Sequence, residues 1–203
     1  MVTEAPVRRR RRKPEQAEAE ILDAAERLLR ERPLGDLTVS RVMQATTLSR
    51  NSFYVYFRDR YDLVARLVGR LRGEADSTMD AFVRASGDEA AAGREALAGA
   101  ARLYAEHGEL LLALADAARE DRTAARAWDE FTAQSERAVT ARVREEVKAG
   151  RIQGIDPEPT VRALVAMNRA CFFQQLVGKP DVDIDALVDV LHRVWIRTLY
   201  APA

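Results

Sequence analysis

Residues 38–57, TVSRVMQATTLSRNSFYVYF, constrain the fold of this chain more than any other stretch. They are predicted to form two short helices joined by a tight turn, because Thr38 and Ser49 are both residues that cap helix starts. In the second helix, Phe53 and Phe57 stand four residues apart and are expected to face inward. The outer face then carries hydrogen-bonding side chains and no acid, which suits the major groove of DNA and predicts a helix-turn-helix.

Residues 48–64, LSRNSFYVYFRDRYDLV, resemble the signature of TetR-type transcriptional regulators. The resemblance lies in a small-residue turn, a Ser-Arg pair, a Phe-Tyr pair, an aromatic-Phe pair and a basic residue that opens the next long helix. Thr47 departs from the family, which usually has glycine at this turn. Because a β-branched residue disfavours a positive φ angle, we expect the turn either to store some strain or to use another geometry.

The resemblance implies two roles for side chains in this stretch. Residues at the start of the second helix are expected to reach base edges, while hydroxyl groups and one further cation are expected to hold phosphates. An ordinary solvent-exposed basic helix is the alternative. The implied base-contacting residues are Arg50, Asn51 and Ser52, with Ser40 as a further candidate. The implied phosphate-contacting residues are Thr38, Ser49, Tyr54, Tyr56 and Arg60.

The charge of the chain is unevenly distributed. The 203 residues contain 32 Lys+Arg and 32 Asp+Glu, for a formal net charge of +0. Residues 1–72 hold 16 basic against 10 acidic residues, a net of +6, and residues 73–203 hold 16 against 22, a net of −6. This polarity is expected of a protein whose amino-terminal part meets nucleic acid.

Three regions are predicted along the chain. Residues 8–13 form a basic run that is either a solvated tail or an arm lying on phosphates or in a minor groove. We expect residues 1–13 to be a disordered basic arm, residues 14–60 a helix-turn-helix DNA-binding domain, and residues 61–203 a ligand-binding and dimerisation domain. No secretory signal or membrane-spanning run is recognised, which predicts a soluble, cytoplasmic protein.

The composition, with few Gly and Pro, predicts an all-α fold of about nine helices. The first spans about residues 15–31, and Asp59 with Asp62 opens a long fourth helix. A capping box at residues 86–89 opens a fifth helix, expected to end at His107 and Gly108. A short sixth helix covers residues 110–118. Asp121 caps the seventh, Asp156-Pro157-Glu158 opens the eighth, and the ninth begins near Asp183.

The predicted eighth and ninth helices carry apolar stripes wider than one packing partner needs. We therefore expect a homodimer formed through these two helices. Their sequences, PTVRALVAMNRACFFQQLVG and DALVDVLHRVWIRTLY, resemble the ethionamide-resistance repressor branch of the TetR family. That resemblance implies a small, elongated, lipophilic effector bound between helices. The implied ligand-contacting residues are Asn168, Trp195 and Phe172, with Trp128 and Phe131 as possible wall.

Two questions about these residues stay open at the level of sequence. Plain core packing is an equal explanation for Trp128, Phe131 and Trp195. Asn168 interrupts an apolar stripe, and a buried amide needs a partner, which is either a neighbouring group or an effector. The two histidines are isolated and Cys171 is the single cysteine, so no catalytic residues, metal site or cofactor are predicted.

The function that these features predict is a ligand-responsive repressor that binds a palindromic DNA operator as a dimer and is released by a small lipophilic effector. The alternative from another class is a helical carrier of a lipophilic ligand whose basic tail binds anionic membrane surfaces. A helical enzyme is disfavoured because no catalytic constellation is present.

Overall fold

The computed structural model describes residues 14–84 and 89–200. Side chains are described for all of these residues except 74–84 and 89. Within these ranges the chain is all α-helical and has no strand, which confirms the predicted fold class. A 3₁₀ turn at Leu34–Asp36 follows the first helix. The helices are α1 (Pro14–Glu31), α2 (Val39–Gln44), α3 (Arg50–Tyr56), α4 (Arg60–Arg84), α5 (Glu89–Ala117), α6 (Arg122–Lys148), α7 (Pro157–Gln175) and α8 (Ile184–Tyr200).

The described residues contain eight α-helices where about nine were predicted, because the expected fifth and sixth helices are one helix, α5. Gly108 lies inside α5, and a Cβ atom at this position would collide with the side chain of Val177. A glycine inside a helix costs about 1 kcal/mol, which close packing against a neighbour can offset. His107 is therefore not at a helix end, as the sequence suggested, but in the middle of α5.

Helices α1, α2 and α3 enclose the core of the predicted helix-turn-helix. Phe53 and Phe57 are 0% and 1% exposed, and their ring centroids are 5.4 Å apart, which confirms that they face inward. Thr38 caps α2, since its Oγ1 accepts a 3.2 Å hydrogen bond from the backbone N–H of Arg41. Ser49 occupies the N-cap position of α3, but its hydroxyl contacts the hydroxyl of Ser52 at 3.0 Å.

The turn between α2 and α3 avoids a positive φ angle at Thr47, which is the second of the two possibilities that the sequence left open. No described residue other than glycine has a positive φ angle, so Thr47 stores no left-handed strain. Instead, its backbone N–H and its Oγ1 both donate to Oε1 of Glu20, at 2.6 and 2.8 Å. The threonine thus joins the turn to α1, which a glycine could do only through its backbone.

The start of α4 is capped as the sequence predicted. Oδ1 of Asp59 accepts from the backbone N–H groups of Tyr61 and Asp62, both at 2.9 Å, and Oδ2 of Asp62 accepts from that of Arg58 at 3.0 Å. From there α4 packs against α1, α5 and α6, so it connects the amino-terminal helices to the rest of the fold. The capping box predicted at residues 86–89 and the basic arm at residues 1–13 lie outside the residues described with side chains.

Helices α5 to α8 form the larger part of the molecule. Asp121 caps α6, because its Oδ1 accepts from the N–H groups of Thr123 and Ala124 at 2.7 and 3.0 Å. Helix α7 begins at Pro157, as predicted, with Asp156 at its N-cap position. None of the described helices is long and apolar enough to cross a lipid bilayer.

The apolar surface of α8 is divided between two faces. Leu191 is 2% exposed and belongs to the core of its own subunit. Val190 and Val194 are 55% and 37% exposed and point away from that core. Of the apolar stripe on this helix that was expected to meet a second subunit, the part at Leu191 therefore packs within its own chain, whereas Val190 and Val194 are open to a partner.

Candidate DNA-binding surface and ligand cavity

The exposed face of α3 carries three of the nine residues expected to contact DNA. Arg50 and Asn51 are exposed at its first turn, and Tyr54 is 56% exposed one turn later. The helix, RNSFYVY, contains no acidic residue. Thr38, Ser40 and Ser49 are also exposed, near the amino-terminal ends of α2 and α3. This surface can donate hydrogen bonds to phosphates and base edges without repelling a polyanion.

The structure places three of the expected DNA-contacting residues differently. Ser52 is half-buried, and its hydroxyl contacts that of Ser49. Tyr56 is half-buried, and its ring packs near Phe57 at a centroid distance of 6.4 Å. The guanidinium of Arg60 donates to the hydroxyl of Tyr61 at 2.8 Å and to Oε2 of Glu120 at 3.3 Å. Arg60 is thereby directed at the connection between α5 and α6, away from the outer face of α3.

A polar cluster joins the start of α4 to the start of α6, and we call it the bridging cluster. Tyr61 donates to Glu120 at 2.5 Å, and Arg58 donates to the hydroxyl of Thr123 at 3.1 Å. Arg58 also lies 3.5 Å from Asp121, the N-cap of α6. Sequence reasoning missed this cluster because its members are about 60 positions apart in the chain. The cluster consists of Arg58, Arg60, Tyr61, Glu120, Asp121 and Thr123.

A cavity of about 180 Å³ lies between α5, α6, α7 and α8. Its wall is mainly apolar and includes small residues of α5, such as Gly93 and Ala100. Four of the five residues expected to contact a ligand line it, and Trp128 does not. The four are Phe131, Asn168, Phe172 and Trp195.

Asn168 has a neighbouring partner. Its Oδ1 accepts a 3.1 Å hydrogen bond from the indole N–H of Trp195. Because an indole nitrogen can only donate, this bond requires the oxygen of the amide to face Trp195. The partner of the Asn168 oxygen is therefore a neighbouring side chain and not an effector. The N–H groups of the amide remain available to bond another group in the cavity.

Trp128 lies behind the cavity wall in an aromatic cluster. Its ring stacks on Phe131 at a centroid distance of 6.4 Å and an interplanar angle of 23°, and it lies 6.1 Å from Phe173. The guanidinium carbon of Arg169 stands 5.7 Å from the Trp128 centroid, within cation–π range. Trp128 therefore supports two residues of the wall, Phe131 and Arg169, without lining the cavity itself.

Polar residues of the wall were missed by the sequence analysis. Glu146 is 2% exposed and is held by Arg151 through bonds of 2.6 and 2.8 Å, with Arg142 3.4 Å away. The hydrogen bond and charge of Arg151 hold the pKa of Glu146 below its usual value. The Nε2 atom of His192 is buried and has no hydrogen-bond partner among the described residues.

A signal for these residues was present in the helical spacing. Arg142 and Glu146 stand in register with Val139 and Val143, at positions i, i+3, i+4 and i+7 of one stripe. Charged residues inside a core stripe indicate either a buried ion pair or a binding site. On α8, His192 is likewise one position from the buried Leu191 and three from Trp195.

Comparison with known proteins agrees with this architecture. The HTH-type transcriptional regulator EthR of Mycobacterium tuberculosis is 27% identical over 191 residues, which cover 90% of this chain and 87% of that protein. The solved structure of NalD, a repressor of a multidrug efflux pump in Pseudomonas aeruginosa, has a TM-score of 0.75 at 18% identity, over 94% of this chain and 100% of NalD. The structure of FadR from Bacillus subtilis in complex with stearoyl-CoA has a TM-score of 0.69 at 16% identity, and the match covers 87% of this chain and 96% of FadR.

Two family models match the chain and together cover both parts of the fold. The model for bacterial regulatory proteins of the tetR family matches residues 21–67, from α1 into α4. The model for the C-terminal domain of the transcriptional regulator EthR matches residues 93–201. This chain therefore belongs to the TetR family of bacterial transcriptional regulators, in the branch whose C-terminal domain is of the EthR type.

Proposed function

We propose that this TetR-type regulator is a repressor that binds a palindromic operator as a homodimer and is released by a small lipophilic effector. The observation that carries the proposal is the course of α6. Its start is bonded to the DNA-binding helices through the bridging cluster, and its middle, at Phe131 and Val139, lines the cavity. A ligand that displaces α6 would therefore move the start of α4 and, with it, α3.

DNA binding itself rests on the exposed face of α3. We propose that Arg50, Asn51 and Ser52 contact base edges and that Thr38, Ser49 and Tyr54 contact phosphates, with Ser40 as a further candidate for a base. Arg60 and Tyr56 are weaker candidates, since one is bonded to Glu120 and the other is half-buried. The basic arm, residues 1–13, would add phosphate contacts in front of α1.

The proposed dimer forms through α7 and α8, which correspond to the predicted eighth and ninth helices. Val190 and Val194 are large apolar residues exposed on α8, and such residues favour an interface. A two-fold dimer would present two α3 helices to successive major grooves, which requires a palindromic operator. We also propose that the DNA-binding domain ends near residue 60 and that residues 61–203 bind the ligand and the second subunit.

The experiment that tests this function is selection of bound sites from a random DNA duplex pool by the full chain. We expect a palindromic sequence whose half-sites are about one helical turn apart, bound with strong salt dependence. Deletion of residues 1–13 should weaken binding and make the dependence of log K on log salt shallower. A pool that yields no enriched site would overturn the proposal. The alternative of a membrane-surface carrier gains no support from the family match, and it predicts binding to anionic vesicles without site selection.

A further inference from the structure

The charged side chains in the cavity wall are unequal in sign. Arg142 and Arg169 contribute two positive charges and Glu146 one negative charge. Two residues outside the wall add one charge of each sign. Arg151 engages both oxygens of Glu146, and Glu145 lies 4.0 Å from Arg142. Among the residues described with side chains, a cationic ligand would therefore meet no wall carboxylate that lacks an arginine partner, whereas an anionic ligand would meet an excess of positive charge.

Arg169 is the least compensated of these groups. It is half-buried in the wall, and no carboxylate of the described residues lies within ion-pair distance of it. Its contact with the Trp128 ring offsets only part of the cost of removing a guanidinium from water. Burial raises the pKa of the neighbouring Tyr104 to about 12, while the charge of Arg169 acts to lower it. The cavity wall thus contains a buried phenol and a guanidinium that has no counter-ion among the described residues.

The other polar groups of the wall also favour an anionic ligand over a cationic one. The oxygen of the Asn168 amide is used by Trp195, so its N–H groups are left to donate. The hydroxyls of Thr132 and Ser135 donate to backbone carbonyls of α6 and can accept further bonds, but they are uncharged. Trp128 does not line the cavity, and its ring is already in contact with Arg169, so it offers no site for a ligand cation.

We infer that the cavity takes a lipophilic carboxylate, whose carboxylate group is held by Arg169 and whose apolar part lies along the walls formed by α5 and α8. A guanidinium binds a carboxylate through paired, charge-assisted hydrogen bonds. The cavity volume of about 180 Å³ suits the apolar part of a ligand with an alkyl chain of several carbon atoms. The role of this ligand as effector rests on the proposed function, but its binding does not.

Three eight-carbon probes that differ only in their head group test the sign of the charge: octanoate, octanol and octylammonium. Each is titrated into the full chain by calorimetry at neutral pH. We expect octanoate to bind about ten-fold more tightly than octanol, because it adds a charge-assisted pair, and octylammonium to bind most weakly. Octanol binding as tightly as octanoate, or octylammonium binding more tightly than octanol, would overturn the inference.

Two variants on α7 test the anchor. Arg169→Gln should abolish the advantage of octanoate over octanol, and Arg169→Lys should retain part of it. Arg162→Gln is the matched control, because Arg162 is two turns earlier on α7, 71% exposed and paired with Glu136 outside the cavity. An Arg169→Gln variant that melts cooperatively and keeps the full octanoate advantage would reject Arg169. If Arg169→Gln does not fold, Arg169→Lys is compared with the wild-type chain instead. An octanoate affinity that is unchanged in Arg169→Lys would count against a bidentate guanidinium anchor.

Operator binding, measured separately by fluorescence anisotropy, distinguishes this inference from the proposed function. If octanoate binds the cavity without weakening operator binding, the inference about the ligand stands. The proposal that this ligand releases the protein from its operator is then overturned. Octanol that releases the operator while octanoate does not bind would support the proposed function and overturn the inference.

Discussion

The hydroxyl of Tyr61 donates a 2.5 Å hydrogen bond to Oε2 of Glu120, and so connects the first turn of α4 to the segment between α5 and α6. The same carboxylate oxygen accepts from Arg60 at 3.3 Å. Both donors follow directly after the helix-turn-helix, whereas Glu120 immediately precedes the N-cap of α6. A single carboxylate therefore joins the start of α4 to the segment that leads into α6, a helix of the cavity wall.

We predict that Glu120→Ala reduces the coupling between effector and operator. Glu120 is 55% exposed, so the loss of its bonds should cost only about 0–1 kcal/mol of unfolding free energy. The ratio of operator Kd values with and without effector should instead fall several-fold, because the start of α4 is then linked to the start of α6 only by Arg58 and by helix packing. The control is Glu95→Ala, which breaks an exposed ion pair within α5. A ratio equal to that of the wild type would exclude Glu120 as part of the connection.

We predict that Thr47→Gly destabilises the chain, although glycine is the usual residue of the family at this turn. The backbone here needs no positive φ, and the substitution removes the hydroxyl bond to Glu20 while increasing the freedom of the unfolded chain. The expected loss is about 1–2 kcal/mol in urea unfolding. In a Glu20→Ala background the same change should cost less, since the hydroxyl has already lost its acceptor. A stabilising Thr47→Gly change would contradict this account of the turn.

We predict that Asn168→Leu lowers stability, because it leaves the N–H of Trp195 without its acceptor. Thermal unfolding should show a cost of about 1–3 kcal/mol, the usual penalty for an unsatisfied buried polar group. Trp195→Phe in the same chain should recover part of that loss by removing the donor. Equal stability of Asn168→Leu and the wild type would assign Asn168 to the ligand and not to the fold.

We predict opposite outcomes for two adjacent substitutions on α8. Val190→Arg places a charge on the exposed face and should give a folded monomer with weakened operator binding. Leu191→Arg places the same charge in the core and should cost on the order of 4 kcal/mol, enough to unfold much of the chain. Circular dichroism and light scattering distinguish the two. A wild-type chain that is monomeric at micromolar concentration would overturn the proposed dimer, and a dimeric Val190→Arg variant would place the interface elsewhere.

We predict that substitutions on α3 separate affinity from specificity. Tyr54→Phe removes a hydroxyl expected to contact phosphate and should weaken binding to all duplexes alike. Asn51→Ala should cost about 1–3 kcal/mol at particular base pairs and relax the preference there. Binding to the selected operator and to a panel of single base-pair changes measures both effects. A Tyr54→Phe variant with altered base preference and unchanged affinity would reverse the two assignments.

The sequence alone determined those features of this protein that depend on neighbouring residues. The caps at Thr38, Asp59 and Asp121, the inward direction of Phe53 and Phe57 and the all-α class all follow from spacings of a few residues. Such signals suffice because capping bonds and the helical period are local. The TetR family was recognisable for the same reason, since its signature lies in one continuous stretch.

Only the tertiary structure decided which side chains meet across the chain. The sequence could not indicate that α5 continues through Gly108, because the reason is contact with Val177. Nor could it predict that Arg60 bonds to Glu120 or that Trp128 lies behind the cavity wall. It also could not predict that Leu191 is buried while Val190 is exposed. Each of these depends on how helices cross, and a crossing angle is set by the packing of side chains from distant segments. Local propensity carries no information about that packing.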